Sequence, residues 1–164
     1  MNNIYSRVSI RKFLDKPVEE EKTKALLKAA MQAPSAGNQQ PWEFYVVKNK
    51  EILLELSKVH QYAWMVKDAP IAIVSAYKKD CRLKDYAQID LSIAMENLWL
   101  ECDAQGLGGV WLGIAPLKER MEIVEKILNL PDSLHAFAIF PYGYANEEKT
   151  QQDRFDENRI HYID

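Results

Sequence analysis

The chain has 164 residues, of which 48% are apolar and 27% charged, and its net charge is -3. Those fractions fit an ordinary soluble globular protein, and the length fits one domain, 1–164, able to bury roughly two-thirds of its unfolded surface. There is no basic excess to hold a nucleic-acid backbone, and no run approaches the roughly 20 apolar residues that a membrane span needs.

Residues 19–32, EEEKTKALLKAAMQ, predict a helix: Pro17 precedes it, acids fill its first turn, and Ala25, Leu26, Ala29 and Ala30 form an apolar stripe. The next ten residues, APSAGNQQPW (33–42), hold two prolines, a glycine and an asparagine and predict a loop. Trp42–Val47 is aromatic and β-branched, hence a strand, and a short helix is expected from about Lys50 to Val59. Ala69–Ala76 is apolar enough for a central strand. From about Leu83 to Gln105 the chain can form one long helix stopped by Gly106. Its apolar residues, Ile89, Leu91, Ile93, Met95, Leu98 and Trp99 among them, point in nearly all directions, and its charge is mainly Asp90 and Glu96. A surface helix of a monomer should show one apolar stripe. This one needs cover on more than one side, either from its own chain or, as the small size favours, from a second subunit. Gly109–Ile114 predicts a third strand, Leu117–Leu128 a helix with Ile123, Val124 and Ile127 inward, and Leu134–Tyr142 a fourth strand. A polar tail, 145–164, ends in the apolar-aromatic patch IHYI. Helices and strands without regular βαβ alternation indicate an α+β fold.

Several chemistries lack their parts. His60, His135 and His161 lie apart with no metal-ligand spacing, and there is no phosphate-binding loop, nucleophile elbow or repeat. Cys81 and Cys102 are too few for a disulfide framework and are expected as free structural thiols rather than catalytic ones. With no apolar core near the N-terminus for a secretory signal, the expected setting is the cytoplasm.

Four motifs carry chemistry. Arg7-Val8-Ser9-Ile10-Arg11-Lys12-Phe13 is a solvated basic turn, or a pair of guanidinium forks with a hydroxyl between them, suited to a phosphate and an electron-rich heterocycle. Pro34-Ser35-Ala36-Gly37-Asn38-Gln39-Gln40-Pro41-Trp42 is a connector, or a loop whose small and amide residues approach a planar ligand. The run 106–113, GLGGVWLG, superficially matches a dinucleotide glycine loop, but it follows a helix and opens a strand, the reverse of that arrangement. Its glycines are read as a helix stop and a closely approachable backbone. In 153–162, DRFDENRIHY, Arg154 is a solvated charge or a phosphate clamp.

Together, and in this order, the motifs R-x-S-x-R-x-F, P-S-x-x-N-x-Q-P-W, G-L-G-x-x-W-x-G and D-R-F-D-x-x-R-I-H resemble those of the FMN-dependent nitroreductase superfamily, nearly end to end. The resemblance implies a nitroreductase-like α+β fold with a mostly antiparallel central sheet flanked by helices. It also implies an intertwined homodimer with two FMN molecules at the interface, each touched by both chains. By motif position, Arg7 and Arg154 correspond to a phosphate clamp with Val8 and Ser9 beside them, and Arg11 to the cation at the flavin pyrimidine edge. There a guanidinium stabilises the negative charge of the reduced ring. Pro34, Ser35, Ala36 and Asn38 correspond to the partner chain's contribution, and Trp111, Leu112 and Gly113 to the strand along the flavin. Val8, Gly113 and Gln152 depart from residues that many or some relatives carry there (Arg or His, Glu, and a basic residue), and the insertions that form a lid in larger members are missing.

No acid, base or nucleophile is assembled by these motifs, so no catalytic side chain is expected and the cofactor carries the chemistry. The resemblance implies an FMN-dependent oxidoreductase with NADH or NADPH as co-substrate, reducing nitroaromatic, quinone or similar electron-poor small molecules by a ping-pong mechanism. Other flavin chemistry on the same fold, such as dehalogenation or flavin fragmentation, and FMN binding without turnover stay open as alternatives. Tyr62, Trp64 and Tyr86 are either core packing or the rim of the substrate site.

Overall fold

The computed structural model describes residues 3–163. Met1, Asn2 and Asp164, the extreme ends of the predicted domain and tail, lie outside the described residues. Helix α1 (Glu20–Met31) begins after Glu19, carries Glu20 and Glu21 in its first turn, and buries Thr23, Leu26 and Ala30. Strand β1 (Trp42–Val47) coincides with its prediction. Helix α2 (Lys50–Leu56) is opened by Asn49, whose side chain accepts the N–H groups of Glu51 and Ile52. Strand β2 (Ile71–Lys78) starts two residues later than expected. Pro70 has no N–H to give a ladder, and Ala69 is still engaged in the preceding turn through its N–H to the Val66 carbonyl. Helix α3 (Ala87–Ala104) is followed by short strands β3 (Gly108–Gly109) and β4 (Leu112–Gly113), helix α4 (Lys118–Leu128) and strand β5 (Leu134–Gly143).

The sheet is antiparallel, in the order β1-β2-β5-β3, with β4 also on β5. The expected third strand, Gly109–Ile114, is therefore two fragments. Their register on β5 is continuous: Gly109 faces Tyr142 and Leu112 faces Ile139. The interruption lies where Val110 comes opposite Pro141. Val110 N–H reaches the Pro141 carbonyl at 3.3 Å, but the proline has no N–H to return. The helix prediction over 83–105 loses its first four residues to a tertiary bond, described below, and ends as expected at Gly106, whose φ is +71°. On α4 the inward residues are Met121 and Val124 with Ile127 half-buried, whereas Ile123 turns outward against expectation.

Helix α1 packs along α3, and α3 lies on the sheet, with Leu91, Ala94, Met95 and Leu98 fully buried. The core continues through Ile73, Ile139 and Phe140. One buried polar pair bridges α1 and the sheet: the hydroxyls of Thr23 and Tyr142 lie 2.8 Å apart, and burial pushes the tyrosine's pKa well up. The opposite side of α3 stays uncovered, with Ile89 55% and Ile93 38% exposed. Tyr62, Trp64 and Tyr86 are also largely exposed, so they are not core residues. Cys81 and Cys102 are free and buried. Among the described residues no helix is long and apolar enough to cross a membrane.

Candidate functional site

Both ends of the chain meet beside β3. Ser9 bridges Gly109 in parallel, with Ile10 N–H on the Gly109 carbonyl at 3.0 Å. The approach is tight enough that a Cβ on Gly108 would fall 2.6 Å from Ile10 Cγ1. The close backbone approach read from the glycine run is thus made to the chain's own N-terminal segment. Phe13 bridges Ala145 antiparallel, Leu14 N–H reaches the Tyr144 carbonyl and Asn146 N–H the Lys12 carbonyl, each at 2.9 Å. Farther along, Lys149 Nζ donates to the Ser9 carbonyl at 3.0 Å and Gln151 Nε2 to the Arg7 carbonyl at 2.7 Å. Glu147 fastens the two segments by accepting the N–H groups of Arg11 and Lys12 and the ammonium of Lys149.

This pairing of chain ends gathers the first and last sequence motifs. Arg7, Val8, Ser9, Arg11 and Arg154 line one cavity of about 170 Å³, together with Lys149, Thr150, Gln151 and Gln152. Three arginines and a lysine lining one small space can supply donors to a multiply charged anion, and the forked geometry of arginine suits phosphate oxygens. Arg7 is the most restrained of them. Its guanidinium carbon stands 4.0 Å above the Trp99 ring, and Nε is 3.7 Å from a Glu96 oxygen, so α3 orients it. Lys149 and Gln151 were not singled out in the sequence, because EEKTQQ looks like a solvated charged stretch; only their pairing with residues 7–9 gives them a place.

The second motif lies elsewhere. Pro34, Ser35, Ala36 and Asn38 do not line that cavity; they sit on a tight 3₁₀ turn, Ala36–Asn38, within the predicted loop, against the start of α3. Asp90, passed over as a charge near the end of an apolar helix, is 2% exposed and holds this turn. Its Oδ1 accepts Ala36 N–H at 2.8 Å and its Oδ2 accepts Gln39 Nε2 at 2.7 Å. The signal was a carboxylate inside an otherwise apolar stretch, since a buried charge needs partners. Gln39 also makes two bonds with the Leu83 backbone, 3.0 Å to its carbonyl and 2.8 Å from its N–H, which keeps Leu83 out of the helix.

The far end of the third motif, 111–113, does not line the cavity, although its Gly109 pairs with Ser9. Trp111 packs edge-on against Phe137 with ring centroids 5.8 Å apart, Leu112 is buried, and Gly113 is exposed with nothing closer than 4.0 Å to the place a Cβ would take. In one chain, then, neither the 34–38 turn nor the 111–113 edge lines the basic cavity.

The sequence matches the Nitroreductase family over residues 4–70 and 58–144. A protein of Methanothermobacter thermautotrophicus named "Putative NADH dehydrogenase/NAD(P)H nitroreductase" is 40% identical over 96% of this chain and 83% of its own length. The solved structure of a protein of that same name from Parabacteroides distasonis superposes with a TM-score of 0.94 at 35% identity, covering 98% of this chain and 95% of the other. An FMN-dependent nitroreductase from Clostridium difficile superposes with a TM-score of 0.91 at 31% identity over 99% and 98% of the two chains. The chain belongs to the nitroreductase family and is an oxidoreductase of that type.

Proposed function

We propose that the chain is one FMN-binding domain that works as a homodimer, passing electrons from NADH or NADPH to a nitroaromatic, quinone or similar electron-poor acceptor. The observation that carries this reading is the convergence of Arg7, Arg11 and Arg154 from opposite ends of the chain on a single small cavity. That donor set fits the phosphate of FMN. The names of the similar proteins, an FMN-dependent nitroreductase among them, support the same cofactor.

A second copy accounts for the 34–38 turn not lining the cavity of its own chain. In this reading Arg7, Ser9 and Arg154 hold the phosphate with Val8 packed beside them, and Arg11 stands at the pyrimidine edge. Trp111, Leu112 and Gly113 of the same chain line the ring, and Gly113 offers a backbone that a ring can approach without meeting a side chain. Pro34, Ser35, Ala36 and Asn38 come from the partner. The uncovered isoleucines of α3 and the exposed Phe155 and Tyr162 of the tail are the surfaces that such a dimer covers. When bound, FMN supplies two-electron transfer between the nicotinamide and the acceptor. The chain's own residues position it and stabilise charge: the Arg11 guanidinium offsets the negative charge gained on reduction. With no acid–base apparatus assembled at the site, one open face serves the donor and the acceptor in turn, which is ping-pong turnover. Free buried thiols and a nicotinamide co-substrate fit a reducing cytoplasm.

The test is an anaerobic visible spectrum. The purified protein, as isolated or after FMN titration, is expected to show a bound flavin that NADH or NADPH bleaches and a nitroaromatic or quinone restores. A preparation that stays colourless with FMN, or a bound flavin that neither nucleotide bleaches, overturns the reading.

A further inference from the structure

The 34–41 segment carries three residues in the left-handed region: Gly37 at φ +54°, Asn38 at +52° and Gln40 at +45°. For asparagine and glutamine this conformation costs free energy, and it persists only where the surroundings over-determine it, as they do at ligand clamps. Here the determinant is Asp90, a buried carboxylate with no ion pair among the described residues, whose two oxygens accept from Ala36 and Gln39. A buried carboxylate balanced only by N–H donors is expensive to keep.

The turn has a chemical polarity as well as a shape. Gln40 N–H donates to Ser35 Oγ at 3.0 Å, and Gln40 Nε2 donates to Asn38 Oδ1 at 2.8 Å. Each of these oxygens thus accepts one bond from Gln40 within the turn. The Ser35 hydroxyl hydrogen and the Asn38 amide N–H group have no partner among the described residues, so the turn presents donors outward. Those free donors complement the carbonyl side of an electron-rich ring.

We propose that Asp90 is a positioning residue for the flavin site, holding this turn in the conformation that presents a donor edge to the ring bound by the other subunit. The inference rests on the FMN reading given above. Asp90→Asn keeps the size of the side chain but sets an amide N–H against one of the two donors. Gln39→Met removes the same Asp90 bond from the loop side. Each variant is compared with the wild-type dimer by flavin titration with FMN and with riboflavin, scored at the folded fraction from circular dichroism, together with the visible spectrum of the bound flavin.

Asp90→Asn is expected to weaken both flavins at least tenfold and Gln39→Met about threefold to tenfold, the size of effect for one or two lost hydrogen bonds to a bound ligand. The FMN-to-riboflavin ratio should stay unchanged, because the loss concerns the ring and not the phosphate, and the visible bands should shift. A general loss of structure changes the folded fraction and leaves the spectrum of the remaining bound flavin alone. Wild-type protein that binds neither flavin overturns the FMN reading itself. Wild-type protein that binds FMN, with both variants matching its affinity and spectrum, overturns the role of Asp90 alone. Unfolding of both variants also overturns that role, since the carboxylate then serves the core rather than the turn.

Discussion

The basic cavity and the 34–40 turn are built on opposite plans. At the cavity the charged groups extend from two chain segments joined by backbone bonds such as Leu14 to Tyr144 and Asn146 to Lys12, and Arg154 itself is exposed. At the turn the strained backbone is locked from below by the buried Asp90, and the exposed Arg82 guanidinium donates to the Gly37 carbonyl at 3.2 Å. Under the proposed FMN reading, the difference matches two recognition tasks. A phosphate is a compact multiple charge that several mobile cations can satisfy from slightly different positions. A ring edge has fixed carbonyl directions and needs donors that are already in place.

The comparison breaks most completely if the two regions never meet. They lie apart in one chain, so their cooperation depends on the exposed side of α3. The double substitution Ile89→Lys and Ile93→Lys leaves the buried residues Leu91, Met95 and Leu98 untouched. Burying an isoleucine is worth about 1.5–3 kcal/mol, and two-fold symmetry doubles every loss at such an interface. The expected result is a folded monomer by analytical ultracentrifugation, with flavin affinity down more than about a hundredfold, since 1.4 kcal/mol is tenfold. A variant that remains dimeric and keeps its flavin moves the interface elsewhere.

A smaller effect sharpens the distinction between charge and shape. Arg154→Ala removes one fork from the cavity and leaves Arg7, Arg11 and Lys149 in place. A charge-assisted hydrogen bond contributes about 1.5–3 kcal/mol, and the exposure of Arg154 puts it at the lower end, roughly a tenfold loss of FMN affinity. Riboflavin, which has no phosphate, should bind as before. Equal losses for both flavins would show that Arg154 supports the ring or the tail rather than the phosphate.

The two regions also differ in how far the sequence reveals them. Elements that depend on local period and punctuation were legible: β1 in full, α1 and α4 to within a residue at each end, and the stop of α3 at Gly106. Two of the failures came from a distant partner. The α3 start gave way to the Gln39 side chain bound to Leu83, and the third strand gave way to Pro141 on β5. The arginines of the cavity were open to two readings one by one, solvated charge or anion site, and only the four motifs taken together singled them out. Asp90 did not, because its role lies in a turn 54 residues away along the chain. The outward side of α3 was legible in a different way: an apolar pattern on all sides states that cover is required without naming what supplies it.

The mildest test concerns the fastening of the chain ends. Burial acts to raise the Glu147 carboxyl, but hydrogen bonds from Arg11 N–H, Lys149 and Lys12 N–H outweigh it and hold the group below the usual carboxylate range. A carboxyl depressed on folding contributes stability that is fully present above its unfolded value, about 4.3 for glutamate, and disappears as pH falls through the folded value. Amide exchange of the 145–151 segment should therefore be constant from neutral pH down to about pH 5, after correction for the intrinsic rate, and accelerate only in stronger acid. Glu147→Gln keeps an acceptor for the backbone N–H groups but loses the charge that faces Lys149. At neutral pH it should raise exchange by about fivefold or less, the effect of roughly 1 kcal/mol for one partly exposed contact, and remove the acid step. Because the same segment carries Lys149 and Gln151 to the cavity, FMN affinity should fall slightly with it, while the turn at 34–40 stays as it was. An acid step that survives in Glu147→Gln would place the titrating group elsewhere and separate the docking of the tail from this carboxylate.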